Sequence, residues 1–513
     1  MKYVRTNWLP FFVIAVGSAA SLYLALRPLD FILSSLVFDD AFYYFQIARN
    51  IVDGLGSTFD GINPTNGYHP LWLLLILPIF HFLSVGGVND IAPINGVLVL
   101  SAFLNLGTGI VLWMIIRRYT KSAWVMASTL GFWFLNPFAQ YQMINGLETS
   151  ISIFFTALFF LAAMRASEIP STRRYIEAGC IAGLMMLARL DNVFYFVGYL
   201  LFLLYTSGIK KGFRPVLISG IAATMIVAPW LAWNALNFGM LFTSSSVAFT
   251  TVNHQLIVQD HGTSWFQTFK AVVYHTDRYL REIEPQTGIP LVLLLLCGVC
   301  IGWLLFGRGK ALRERMSKEI PVELFVASGF VLSFIANASI RWTARPWYFI
   351  AVDLLIVIWL AWFLEKLREE GYLRPAVATV LILFSLSVLY IDWSKNYRKG
   401  IEGSRQVVET ALWMNDNLPK GTVIGAFNSG ILGYFSTHRV VNLDGLVNNE
   451  AFLAIRNRDI WNYIQSENVQ YIADHDVYLT YRYKSFLGIE NIYDHLQLVY
   501  EEPELKMRVY KVK

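Results

Sequence analysis

The chain is built from long apolar runs separated by short polar connections. A helix crosses the hydrocarbon core with roughly 20 apolar residues. Runs of that kind fall at 9–26, 91–116, 123–141, 149–164, 176–188, 193–209, 215–233, 289–306, 322–338, 347–364 and 376–391. They predict about eleven membrane-spanning helices. The run 71–85, LWLLLILPIFHFLSV, is shorter and is interrupted by Pro78 and His81. It reads as a helix embedded at the interface or re-entrant, a place where irregular backbone must be covered by protein or line a water-filled cavity. From Trp393 onward the pattern changes. An amphipathic helix is predicted at 404–417, short strands at 422–427 and 440–443 with a Gly-rich turn between them, a helix at 460–467, a strand at 469–473, and a terminal strand pair at 496–501 and 507–512. The fold class is therefore a polytopic α-helical membrane protein with a C-terminal α/β domain, divided into residues 1–392 and 393–513.

Charge orients this arrangement. Lys and Arg cluster at Lys2/Arg5, Arg117/Arg118/Lys121, Arg165/Arg173/Arg174, Lys210/Lys211/Arg214, 308–318 and Lys366/Arg368/Arg374. Every second connection is basic, which puts those connections and the N-terminus in the cytoplasm. An odd number of spans then leaves the C-terminal domain on the extracytoplasmic side, periplasmic in a bacterial inner (plasma) membrane. The first apolar run reads as a retained anchor rather than a cleaved signal peptide.

Composition narrows the class. Of 513 residues, 56% are hydrophobic and 15% charged, against roughly 25% charged in soluble domains. That excludes an ordinary cytosolic enzyme and a disordered chain. A net charge of +5 is too small and too scattered for nucleic-acid binding. The three cysteines, Cys180, Cys297 and Cys300, lie in apolar runs, so neither a disulfide framework nor a metal site is expected.

Ionisable residues at membrane depth are expensive and mark function. On the outer side they gather in a few places. The loop after the first span reads VFDDAFYYFQIARNIVDGLGSTFDGINPTNGYHPLW, with Asp39 and Asp40 directly before a helical pattern from Ala41 to Val52. Such a helix lies flat at the interface, its dipole favouring carboxylates at its N-terminus. One Asp would suffice as an N-cap; two adjacent carboxylates point to chemistry. The segment NGLET carries Glu148, ARLDN carries Arg189 and Asp191, and SIRWTARPW carries Arg341 and Arg345. Arg189 and Asp191 read either as a pair with each other or as part of a site. Arg341 and Arg345 read either as interfacial anchors or as ligands for a lipid phosphate, which suits guanidinium. The long loop 234–288 holds His254, His261 and His275 without metal-ligand spacing. The run GAFNSGILGY lacks G-x-G-x-x-G spacing and reads as a packing turn. A carboxylate pair and several arginines at headgroup level fit sugar transfer from a lipid phosphate. In that chemistry a carboxylate takes the acceptor proton and cations stabilise the departing phosphate.

The stretch FDDAFYYFQIARNIVDGLGSTFDGINPTNGYHPLW resembles the first outer loop of bacterial GT-C fold glycosyltransferases, multi-span enzymes that use polyprenyl-phosphate sugars. It is most similar to the branch containing the mycobacterial terminal arabinofuranosyltransferase. The tail stretch IGAFNSGILGYFSTHRVVNLDGLVNN is similar to the outer domain of that branch. The layout also resembles the lipid A aminoarabinose transferase and the protein O-mannosyltransferases. The resemblance implies Asp39 as catalytic base and Asp40 as the residue that orients the acceptor or Asp39. It implies Arg345, with Arg341 and Arg189, at the donor phosphate. Glu148, Tyr43, His69 and Asn66 are expected to line the acceptor or donor cavity. The implied donor is a lipid monophosphate, with no cofactor and no metal. The implied partners are the polyprenyl-phosphate-linked sugar, a glycan, lipid or protein acceptor, and the bilayer. The alternative is a secondary transporter or flippase of a lipid-linked or small polar substrate, whose signature of matched internal repeats is not found here.

Overall fold

The computed structural model describes residues 8–84, 90–261, 322–339, 345–369, 403–504 and 506–513, with a few single positions between 264 and 394. The predicted spans 289–306 and 376–391, the basic cluster at 308–318, Cys297, Cys300, Arg341 and the boundary at 392/393 lie outside the described residues or nearly so.

Helices α1 (Trp8–Ala25), α2 (Leu29–Ser35), α3 (Asp39–Val52), α4 (Pro70–Leu83), α5 (Ala92–Tyr119), α6 (Ala123–Phe134), α7 (Pro137–Met143), α8 (Thr149–Glu168), α9 (Thr172–Ala188), α10 (Val193–Phe238), α11 (Ser244–His261), α12 (Val322–Ser339) and α13 (Ile350–Glu369) form the helical part. Five segments among the described residues are long and apolar enough to cross a membrane: α1, α5, α8, Leu190–Phe238 and Pro346–Glu369. Neighbours in the bundle are α1 with α5 and α6, α5 with α8, α8 with α9, α9 with α10, and α10 with α12. Small residues permit the closest of these approaches. A Cβ on Gly179 would stand 2.3 Å from the Ser219 carbonyl oxygen, and one on Gly183, four residues later, 2.6 Å from Ile226. Such G-x-x-x-G pairs let backbones meet where lipid offers no hydrophobic driving force.

Breaks in the helical path shape three of the expected runs. The run 123–141 is broken into α6 and α7, because Asn136 caps α7 by accepting from the Phe138 N–H at 3.0 Å and Pro137 takes the first helical position. The runs 193–209 and 215–233 are the two arms of α10, joined at Gly208 (φ 70°, ψ 157°). The left-handed φ at Gly208, open to glycine, ends the first arm and folds the second back, so that a Cβ on Gly212 would stand 2.7 Å from the Leu203 carbonyl oxygen.

The C-terminal part holds α14 (Ser404–Asn417), β1 (Val423–Ala426), α15 (Gly430–Phe435), β2 (Arg439–Asn442), α16 (Asn449–Asn457), α17 (Ile460–Ser466), β3 (Tyr471–Asp474), β4 (Leu496–Glu501) and β5 (Arg508–Val512). The sheet order is β2-β1-β3-β5-β4, with β1 to β3 parallel and β4 and β5 antiparallel. The predicted Gly-rich turn is the short helix α15. Helix α16, absent from the sequence reading, starts at Asn448, whose side chain accepts from the Ala451 N–H at 3.1 Å.

This domain has no wholly separate core. One apolar cluster combines Phe42, Phe45, Trp72 and Phe80 of α3 and α4 with Ala411, Met414, Tyr434 and Phe435 of the C-terminal part. Polar contacts reinforce the seam. Arg49 donates to the Tyr434 carbonyl oxygen at 2.9 Å and lies over that ring at 3.7 Å. Arg439 donates to Asp60 at 2.7 Å, and the Asp60 side chain is 2% exposed. A buried acceptor left without its charged donor costs about 1–3 kcal/mol. Arg439→Ala is therefore expected to lower the unfolding temperature of the C-terminal part by several degrees. Differential scanning fluorimetry of the purified full chain, against an exposed control such as Arg405→Ala, measures the difference.

Candidate active site

The N-terminal turn of α3 is where the two parts meet. Phe38 is the N-cap and gives no side-chain cap; Asp39 and Asp40 are the first two helical residues. Neither carboxylate caps its own helix. The Asp39 carboxylate instead accepts the Gly430 N–H at 3.2 Å and the Ile431 N–H at 2.8 Å, so it caps α15 of the C-terminal part. Next to these, the Ser429 N–H donates to the Tyr43 hydroxyl at 3.3 Å. The preceding Phe427 and Asn428 N–H groups donate to Asp474 at 2.6 and 3.1 Å. Five successive amides of one turn are thus held by side-chain oxygens, in the manner of an anion-binding nest.

Burial pushes the Asp39 carboxyl up to about 7; its two backbone donors and Arg345 pull it down, and the neighbouring Asp40 charge pushes it up. Asp40 is also raised by burial, with Arg345 and Arg482 opposing and Glu148 adding. Arg345 is exposed, its guanidinium 5.9 Å from the Trp347 ring, and its charge acts on both carboxylates.

Behind this pair lies a second polar cluster. Glu148, buried, accepts the Tyr44 hydroxyl at 3.0 Å and stands 3.6 Å from Arg189 and 3.8 Å from His69 Nε2. Burial depresses the His69 pKa, with Glu148 opposing. The NGLET turn that presents Glu148 is fixed by Trp72, whose indole N–H donates to the Gly146 carbonyl oxygen at 3.1 Å. Gly146 has φ 80°, and a Cβ there would press on Phe45, Ala41 and Val37 at 3.1–3.3 Å.

The expected site residues therefore divide. Asp39, Asp40 and Tyr43 stand at the start of α3 against the C-terminal part, with the Arg345 charge acting on both carboxylates, and Glu148 and His69 lie in the adjoining cluster. Arg189 lies with the second cluster: it donates to Asp191 at 2.8 Å, stands 3.6 Å from Glu148 and stacks on Tyr348 at 4.5 Å. It also borders a cavity of about 30 Å³ with Ser152, Thr156, Asn192 and Ser333. Asn66 lies apart from both groups. Buried, it donates to Asn234 (3.0 Å) and the Phe242 carbonyl oxygen (3.3 Å), and accepts from the Ser244 N–H and Asn449, both at 3.1 Å, so its amide joins α10, the start of α11 and α16. The sequence reading missed Asp444, Asp474 and Arg482. Asp444 lay inside a quoted stretch, whereas Arg482, within YRYK, carried no signal beyond a surface charge.

Comparison with known proteins follows from this geometry. The profile of a family described as dolichyl-phosphate-mannose-protein mannosyltransferase matches residues 69–233. The profile of a domain of unknown function matches residues 395–509. No curated protein sequence matches. Among solved structures, the chain is similar to ArnT from Cupriavidus metallidurans in the apo state, with TM-score 0.55, and bound to undecaprenyl phosphate, with TM-score 0.56. In each, identity is 14% over 98% of this chain and 97% of that one. The GT-C fold expected from the sequence is the fold of this chain.

The Asp39 cap has a direct readout. A charge-assisted hydrogen bond contributes about 1.5–3 kcal/mol, and its loss deprotects an amide by roughly ten- to a hundredfold. Asp39→Ala is expected to accelerate hydrogen exchange at Gly430 and Ile431 by that factor while leaving β3 and β5 unchanged. Peptide-resolved exchange mass spectrometry reads it; unchanged protection across 429–432 would mean the cap does not form.

Proposed function

We propose that the chain is an integral membrane glycosyltransferase that moves a sugar from a polyprenyl-monophosphate donor to an acceptor hydroxyl on the extracytoplasmic face. The observation that carries this reading is the Asp39–Asp40 pair in the field of Arg345, in a chain with the ArnT fold. The mannosyltransferase profile over residues 69–233, the undecaprenyl phosphate held by one ArnT structure and the first-loop resemblance to the mycobacterial branch support the same class. The protein then sits in a bacterial inner membrane with a cytoplasmic N-terminus.

In the proposed reaction the acceptor oxygen attacks the anomeric carbon. The bond from that carbon to the phosphate oxygen breaks, polyprenyl phosphate leaves, and the acceptor proton passes to a carboxylate. A single displacement of this kind inverts the anomeric centre. Asp39 is assigned as the base. Its carboxyl titrates near the working pH, where general-base catalysis is most effective. Its backbone donors also fix its direction while leaving lone pairs for the acceptor proton. Asp40, on which the Arg345 charge acts, orients the acceptor and Asp39. Arg345 stabilises the charge that develops on the phosphate.

General-base catalysis contributes about 10²–10⁴-fold. Asp39→Asn is expected to reduce transfer at least that far, and Asp40→Asn less. Because the base must be ionised, the wild-type rate falls as pH drops through about 7, the raised Asp39 value, and levels off above it. Turnover of a polyprenyl-phosphate sugar by monodisperse variants across pH 5–9 tests both statements. Near-normal turnover by Asp39→Asn moves the base to Asp40, and a retained anomeric configuration rejects single displacement.

Arg345 is exposed, so its truncation removes no core packing. Losing a charged contact worth about 1.5–3 kcal/mol, Arg345→Ala is expected to bind undecaprenyl phosphate roughly ten- to a hundredfold more weakly. Titration of the purified variant with that lipid measures it, and unchanged affinity leaves Arg345 as an interfacial anchor.

A further inference from the structure

Open α/β sheets bind ligands outside the carboxyl ends of their strands, where the strand order reverses. Here the order β2-β1-β3 puts that point between β1 and β3. The crevice does not open directly to solvent. The first turn of α3 roofs it, through Asp39 on Gly430 and Ile431 and through Tyr43 on Ser429. The ligand-binding edge of the C-terminal sheet and the carboxylate pair therefore share one cleft.

Two ionisable groups of the C-terminal part face that cleft and take no part in the mechanism above. Asp444 lies two residues beyond β2 and is held by an Asx turn, its Oδ1 accepting the Leu446 N–H at 2.8 Å. Arg482, half-buried, is flanked by the rings of Phe249 from α11 at 5.1 Å and Tyr483 at 5.8 Å. Tyr483 in turn stacks on Phe427, the residue after β1, at 4.3 Å. Arg482 attracts both Asp444 and Asp40. Asp40 thus lies in the field of two cations, Arg345 of the bundle and Arg482 of the C-terminal domain.

We propose that Asp444 and Arg482 form the wall that binds the saccharide portion of the acceptor. The inference rests on the glycosyltransferase reading and gives the C-terminal domain its place in it. The chemistry suits a polyhydroxylated ligand. A fixed carboxylate accepts from sugar hydroxyls, a guanidinium fork donates to their oxygens, and neighbouring ring faces cover the apolar side of a pyranose or furanose. Displacement in line needs separate places for the acceptor and the departing phosphate. With Arg345 assigned to the phosphate, Arg482 and Asp444 are left for the acceptor. Whether the saccharide is a free glycan or the headgroup of a glycolipid, the recognition is the same.

The test uses the full-length protein in detergent, as wild type, Asp444→Asn, Arg482→Gln and the milder Arg482→Lys. The probes are methyl α-D-mannopyranoside, methyl β-D-galactopyranoside and methyl β-D-arabinofuranoside, followed by saturation-transfer NMR, and undecaprenyl phosphate, followed by titration. Wild type is expected to take at least one glycoside. The variants are expected to bind it roughly ten- to a hundredfold more weakly, the loss of one charged hydrogen bond, with undecaprenyl phosphate affinity within about twofold of wild type. Arg482→Lys keeps the charge and loses the fork, so it reports even if Asp444→Asn does not fold. Wild type that takes none of the glycosides, variants that bind them as well as wild type, or undecaprenyl phosphate affinity that falls in step each overturn the proposal. A wild type that binds glycosides through these residues but not undecaprenyl phosphate supports this inference and removes the proposed function instead.

Discussion

Five consecutive backbone N–H groups between β1 and α15 need acceptors, and the rest of the architecture follows from where those acceptors come from. Buried amides must be bonded. Asp474 supplies an oxygen to the amides of 427 and 428 from within the sheet, but Tyr43 and Asp39 supply the others from α3. The C-terminal domain thus completes its own turn only by docking on the helix that carries the carboxylate pair. The same contacts fix the direction of Asp39. Stability and site geometry are one interaction here: the cap that holds the domain also aims the group.

The bundle obeys the same rule at membrane depth. Ser21 bonds Gln140, Asn105 donates to Ser21 at 3.0 Å, and the Trp133 indole donates to Asn105 at 2.8 Å. Asn136, having capped α7, donates its amide to the buried Asp353 at 2.9 Å. These polar side chains of apolar helices are matched to others on neighbouring helices, as a solvent without hydrogen bonds demands.

Legibility in the sequence tracks the range of the forces involved. The long apolar helices, the helix after Phe38 and most strands are legible because length and periodicity are local. Ser404–Asn417 matches its predicted bounds. Asp39 and Asp40 stand out in the sequence because paired carboxylates beside an apolar run are costly. What Asp39 bonds does not, since its partners lie in another domain. The bland alternative, a cap on its own helix, had the right chemistry and the wrong helix. Asn66 is alike. Its place in a loop rich in turn residues is legible, and its partners, brought by the meeting of α10, α11 and α16 around it, are not. The Arg189 pairing is half legible for the same reason: Asp191 is two residues away, whereas Glu148 comes from a different helix end.

The separation between Asp39 and Gly430 is 391 residues, and this bears on how the protein is made. Synthesis at roughly 5–20 residues per second separates the appearance of the two by about 20–80 s. During that interval the bundle inserts helix by helix while the first loop already stands at the membrane surface, its carboxylates hydrated and its aromatic face without the partner rings of Tyr434 and Phe435. The lipid interface is the surface then available to Phe42 and Phe45, which an amphipathic helix can use. Assembly therefore includes an exchange, in which the 404–513 part takes the place of lipid and water at the first loop. The Asp39 cap cannot form until residues 427–431 have folded against α3.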